Sequence, residues 1–166
     1  MDRRGLLKGA GGAAIIVSKT LGSSFASAGT PLNMSNIELF RKIIERGFNH
    51  GDLSVADEIC APSLVEHQYL TPPNLKGPDI LKAQISAARA EMRGLHLEIE
   101  DHADSGSKLW VRMKGAGVDP RSGRSITMDV FDVCRFEGGK LVEHWGVPDR
   151  FALLHQSGAL PPRPTP

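Results

Sequence analysis

The sequence predicts an α+β fold, with helices gathered ahead of a mostly antiparallel sheet that curls around them. Three observations carry that expectation. Apolar residues recur at helical spacing through most of residues 35–94, interrupted by one short alternating run. From Leu95 onward the period falls to two. "EGGK" at residues 137–140 is hairpin chemistry between two such runs.

The elements follow in order. In "SNIELFRKIIERGFNHGD" Ser35 and Glu38 form a capping box, Ile37, Phe40, Ile44 and Phe48 fall on one stripe with Ile43 and Gly47, and Gly51 is the stop. Asp52 starts a short second helix through Val55, Ala56 and Ile59, ending before Pro62. "SLVEHQYL" alternates as a strand, with Val65, His67 and Tyr69 on one face and Leu64, Glu66, Gln68 and Leu70 on the other. After the loop "TPPNLKGP", Pro78 and Asp79 open a third helix with Ile80, Leu81, Ile85, Ala88 and Met92 on its apolar side, closed by Gly94. Strands follow over "LHLEIEDHA", "KLWVRMKGAG", Ile126–Phe136 and "LVEHWGV", then a short helix in "DRFALLHQ". The closing "SGALPPRPTP", residues 157–166, has the composition of a disordered tail.

The chain of 166 residues is 40% hydrophobic and 23% charged, as suits one folded domain, placed at residues 35–156. Its formal charge of +1 is misleading. Arg3, Arg4, Lys8 and Lys19 against Asp2 belong to the first 28 residues, and without them 16 basic face 18 acidic residues. With no basic stripe and only two Trp, one Tyr and six Phe, nucleic acid is set aside as a partner.

Residues 1–28 have the layout of a cleavable export signal: a charged start, a short Gly-rich apolar middle and the small-residue "ASA". Its head, "DRRGLLK", resembles the twin-arginine box, with Arg3 and Arg4 followed by Leu6, Leu7 and Lys8. The Tat translocase is the expected partner, a periplasmic or secreted location the expected destination, and 29–34 a lead segment. Export permits a disulfide, but Cys60 and Cys134 read first as small buried hydrophobes. No CxxC, no HExxH and no ligand-spaced His and Cys cluster occurs, so no metal is expected. Neither a GxSxG, a P-loop nor a dinucleotide fingerprint occurs, which leaves a small cofactor-free pocket.

Asp132 is the sharpest chemical feature. It shares its strand face with Ile126, Met128, Val130, Cys134 and Phe136, where a carboxylate is costly to ionise unless a donor lies close. His67 and Tyr69 share a face with Val65 and are candidates for the same interior. His144 and Trp145 point to opposite faces of their strand, and the pattern leaves open which is inward. Arg112 is a candidate for holding a substrate oxygen, against the ordinary reading of a solvated sheet face shared with Lys114. Asp129 and Arg135, on the face opposite Asp132, read as surface pairs.

With these residues in view, the chain resembles the SnoaL-like polyketide cyclases, a family within the nuclear transport factor 2-like fold. The likeness lies in "NHGDLSVADEI", "VEHQYL", "KGPDILKAQI", "LHLEIEDHADSGSKLWVRM", Gly123–Arg124, "DVCRFEGGKLVEHWGVPD" and "LLHQSG", in that order over Asn36 to Gly158. The resemblance implies an α+β cone enclosing a deep pocket, a homodimer joined through the sheet, and Asp132 as general acid and base of an intramolecular aldol closure. It also matches His67 to a His common in the relatives' first strand and His144 and Trp145 to their "EHW" signature. Relatives commonly read Gly-Thr-His where this chain reads Gly117, Val118 and Asp119, so the His that assists the Asp in the cyclases has no counterpart at that position.

The expectation is therefore an exported, cofactor-independent enzyme doing acid/base chemistry, aldol cyclisation or isomerisation, on a small hydrophobic carbonyl compound. Asp132 and His67 are the catalytic candidates, with Tyr69, Arg112, His144 and Trp145 lining the substrate site. Other readings of the same residues are a non-catalytic module holding a small hydrophobic ligand, an epoxide-hydrolase-like enzyme, and a structural domain with a filled interior.

Overall fold

The computed structural model describes residues 34–161 apart from 69–71 and 73. The expected signal peptide, all but the last residue of the lead, Tyr69 and the final five residues lie outside the described residues.

Helix α1, Asn36–Lys42, starts with the capping box read from the sequence: the Ser35 side chain accepts from the Glu38 backbone N–H, and the Glu38 carboxylate accepts from the Ser35 N–H at 2.7 Å. It continues without a break as a π-helical segment, Ile43–Asn49, and this wider turn is invisible to a 3.6-residue period. The segment buries Ile43, Ile44 and Gly47 together. At Gly47 a Cβ would stand 2.8 Å from Ile85 Cδ1 and 3.2 Å from Val55 Cγ1, so glycine lets this turn lie against the third helix without shifting those side chains. Asn49 ties the segment to the sheet, donating to Leu97 O at 3.1 Å and accepting from Leu97 N–H at 2.7 Å.

Helix α2 (Ser54–Ile59) runs directly into β1 (Cys60–Glu66), which begins earlier than its sequence pattern and contains Pro62. An edge strand tolerates that missing N–H. Helix α3 (Pro78–Glu91) is followed by β2 (Arg93–Ser105), β3 (Lys108–Val118), β4 (Ser125–Glu137) and β5 (Lys140–Pro148), and α4 spans Arg150–Ser157. Ser157 is buried as the last residue of α4, and Gly158, at φ +81°, caps the helix.

The sheet order is β1-β5-β4-β3-β2. The last four strands form the antiparallel meander the alternation predicts, whereas β1 joins the far edge in parallel with β5. One face of the sheet meets the helices. Leu95, Leu97, Leu109, Val111, Met113, Ile126, Val130, Cys134 and Phe136 are buried there with Phe40, Ile43, Ile44, Ile80, Leu81 and Ile85. Each such side chain contributes roughly 1.5–3 kcal/mol of transfer free energy.

Candidate active site

The register of β4 puts Asp132 where the sequence placed it, on the inner face between Val130 and Cys134. It opens onto a cavity of about 410 Å³, a size that suits a small organic ligand. The walls come from Ile44 and Phe48 of the π-helical segment, Ala87 and Ala88 of α3, Met92 at its C-terminal cap, Leu95 and Leu97 at the start of β2, and Met113, Met128 and Val130 of the central strands. A chamber of about 20 Å³ lies behind, bordered by Glu66, Gln84, Asp132, Cys134 and His144.

A bulge in β5 settles the question the alternation left open. Phe136 pairs with Leu141 but Arg135 pairs with Glu143, so Val142 is an extra residue that reverses the alternation beyond it. Leu141 and His144 therefore both face inward, and Trp145 faces out. His144 Nε2 lies 3.4 Å from Asp132 Oδ2, with both side chains 13% exposed. On its other side His144 Nδ1 is 2.7 Å from Glu66 Oε2. Glu66 is 3% exposed and also accepts from Gln84 Nε2 at 2.9 Å and from the Gln68 backbone N–H at 2.8 Å.

These partners set the protonation of the group. Burial works to strip the proton from His144, but attraction to Asp132 and hydrogen bonds to Asp132 and Glu66 outweigh it and raise its pKa to about 10. Burial pushes Glu66 up, yet its bond and charge interaction with His144 bring the carboxyl below its ordinary value. The arrangement is an imidazolium held between Asp132, which faces the cavity, and Glu66, which is set behind.

His67 departs from expectation. Strand β1 is registered so that Glu66 pairs with the inward His144 and Val65 with the outward Glu143, which sends His67 to the outer face of the sheet. There it stacks on Trp145 with ring centroids 4.5 Å apart and lies 2.9 Å from Glu143 Oε1. Trp145 is covered by Lys108 Nζ at 5.5 Å. Arg112 is also on the outer face, paired with Glu100. Thus Asp132 and His144 meet at the cavity, while His67, Arg112 and Trp145 are away from it, because strand alternation gives them the opposite face. Asp129 and Arg135 form the outer pairs expected of them, with Lys114 and with Glu137 and Glu143.

Sequence reasoning passed over Glu66, Gln84 and Gly146. A visible signal for Glu66 was the tripeptide Val-Glu-His, present at Val65–His67 and again at Val142–His144. Gly146 sits opposite Asp132 in the ladder, and a Cβ there would approach Asp132 Oδ1 to 3.1 Å. Among the described residues no group of three or more His, Cys, Asp and Glu is arranged to hold a metal ion.

The fold recurs in solved structures. TsrD from Streptomyces laurentii superposes with a TM-score of 0.67 at 23% identity, covering 76% of this chain and 99% of its own. IdmH from Streptomyces antibioticus, a proposed polyketide cyclase, gives 0.63 at 24% identity over 74% of this chain and 97% of its own. A Catenulispora acidiphila protein of ketosteroid isomerase-like fold, solved with trimethylamine, gives 0.64 at 11% identity over 75% and 95%. No curated protein sequence matches the chain. The family model for SnoaL-like polyketide cyclase matches residues 38–157, a span holding every residue of the cavity just described, and the chain belongs to that family.

Proposed function

We propose that this protein is a cofactor-independent acid/base enzyme that closes or isomerises a small apolar carbonyl compound. The observation that carries the reading is the pairing of Asp132 with His144 at 3.4 Å on the wall of an apolar cavity. Asp132 takes a proton from the carbon next to the carbonyl, and the His144 imidazolium stabilises the oxygen on which negative charge develops and returns a proton to it. Glu66 and Gln84 are positioning residues. They hold the His144 ring so that Nε2 addresses the cavity, and Glu66 keeps the imidazole charged. His144 thereby supplies the assistance that the relatives draw from the position occupied here by Asp119, whose buried side chain instead accepts from Ser122 within a turn.

The test is exchange of α-protons in D₂O, followed by ¹H NMR on a panel of small cyclic ketones with the full chain and Asp132→Asn. Catalysed exchange should fall at least about 10²-fold in the variant while ligand binding persists. Equal exchange in both proteins would overturn the reading. Binding without exchange in the parent protein would favour the non-catalytic module.

Two further parts of the proposal rest on separate observations. The twin-arginine pattern at Arg3 and Arg4 supports export through the Tat translocase to the periplasm or beyond. Replacing both by Lys should leave the protein in the cytoplasm on cell fractionation. Val65, Trp110, Phe131 and Val147 are large, exposed and on the outer sheet face, which supports a homodimer formed there. Phe131→Glu should shift the mass measured by light scattering from two chains to one.

A further inference from the structure

We infer that the cavity selects ligands bearing a protonated amine, whose ammonium lies against Asp132 while its hydrocarbon body fills the apolar walls. The inference rests on the cavity being the ligand site, as proposed above.

The first observation is a charge imbalance. At the floor, the carboxylates of Asp132 and Glu66 face one cation, His144. Glu66 is the better satisfied of the two, with bonds from His144, Gln84 and the Gln68 N–H. Asp132 has a single charged partner among the described residues, at the long distance of 3.4 Å, and its carboxylate opens onto the cavity. The second observation is that the cavity's other cation already has a partner. Among the described residues lining the cavity, the remaining charged ones are Glu91 and Arg150, which pair with each other at 3.2 Å and are half-exposed, at 47% and 43%. Asp132 is therefore the floor acceptor with capacity left to face the cavity.

The walls decide what kind of cation suits. A metal ion or a hydrated alkali ion needs several oxygen ligands, and among the described residues no group of three or more His, Cys, Asp and Glu is arranged to hold one, while methionine, leucine and valine side chains form much of the wall. An organic ammonium needs only one or two acceptors and gains from burying its carbon frame. A ligand carboxylate would meet like charge in a site shielded from water. The cavity thus favours ligands that carry a basic nitrogen and turns acidic analogues away.

The experiment is calorimetric titration of the full chain with three probes of one shape: 2-naphthylmethylamine, 2-naphthalenemethanol and 2-naphthoate, each at pH 7. The amine should bind about tenfold more tightly than the alcohol, and the acid more weakly than either. In Asp132→Asn the amine's advantage should shrink to about threefold or less while the alcohol keeps its affinity, which also reports that the cavity has survived. The inference fails if alcohol or acid equals the amine, if none of the three binds, or if the amine's advantage is unchanged in Asp132→Asn. Catalysed ketone exchange without an amine preference overturns this inference alone. An amine preference without exchange overturns the proposed reaction and leaves the binding selectivity standing.

Discussion

Glu66 and His144 meet across two parallel strands at 2.7 Å, and their meeting follows from a one-residue offset between two copies of the same tripeptide. Val65–His67 and Val142–His144 both read Val-Glu-His, but Glu66 pairs with His144 and Val65 with Glu143. Each glutamate therefore finds the other strand's histidine. Glu66 and His144 join inside, and Glu143 and His67 join outside at 2.9 Å. The inner pair orients the cavity's imidazole, and the outer pair, stacked under Trp145, fixes the edge strand that delivers Glu66.

Glu66→Gln keeps an acceptor for His144 Nδ1 but removes the charge behind it. Because Glu66 is only 3% exposed, the loss is felt in full, and chemical unfolding should show destabilisation of about 1–3 kcal/mol. Glu143→Gln alters a more exposed pair and should cost less than about 1 kcal/mol. Equal costs for the two would mean that the inner pair is no more strongly held than the outer one.

Stability should also depend on pH in a definite direction. His144 holds its proton up to about 10 in the folded chain, against 6.5 ordinarily, so its contribution is complete below about pH 6.5 and drains away as pH rises towards 10. Glu66 is lowered from 4.5, so its contribution stands above that pH and is lost as pH falls through the folded value. Urea unfolding at pH 5.5 and pH 9 should show the parent chain losing about 2 kcal/mol more than His144→Gln. Parallel losses would place the proton elsewhere.

Gly146 faces the pair from β5, where a Cβ would lie 2.9 Å from His144 Cε1 and 3.1 Å from Asp132 Oδ1. Gly146→Ala should displace the imidazole while the strand remains folded. Ketone exchange should drop at least about tenfold with Tm nearly unchanged, since small misplacements cost catalysis more than stability. Exchange at the parent rate would show that the Asp132–His144 geometry does not matter to the reaction.

Cys60 and Cys134 are both free and buried. They lie on strands separated by β5 and opposite different residues of it, Leu141 and His144, which puts their Cα atoms at least roughly 9–10 Å apart, beyond the ~7 Å that a disulfide spans. Burial raises the Cys60 thiol to about 12 and Cys134 also far upward. Ellman's reagent should find no thiol in the native chain and both in denaturant, under oxidising conditions as well. Early reaction of either would contradict the packing around the site.

Much of this was legible in the residues. The capping box at Ser35, the stripe from Ile37 to Phe48, the two-residue period after Leu95 and the inward Asp132 all report local geometry, which side-chain periodicity records directly. What escaped depended on how strands meet. His67 was expected inside because Val65 is apolar, yet the parallel pairing of β1 with β5 puts Val65 outside and the charged Glu66 in the core. The direction of His144 hinged on an extra residue, Val142, and a bulge leaves no mark on alternation until the partner strand is known. The π-helical turn at Ile43–Asn49 was likewise hidden, because its apolar residues also fit an ordinary helix.

The most direct test of the central claim is the titration of the His144 ring by ¹⁵N NMR in the full chain, with His144→Gln used to assign its signal. The structure predicts a doubly protonated imidazole through neutral pH that releases its proton near 10, and whose shifts move when a cavity ligand is added. An ordinary transition near 6.5 that no ligand perturbs would contradict a charged His144 between Glu66 and Asp132, and with it the acid/base role assigned to this cavity.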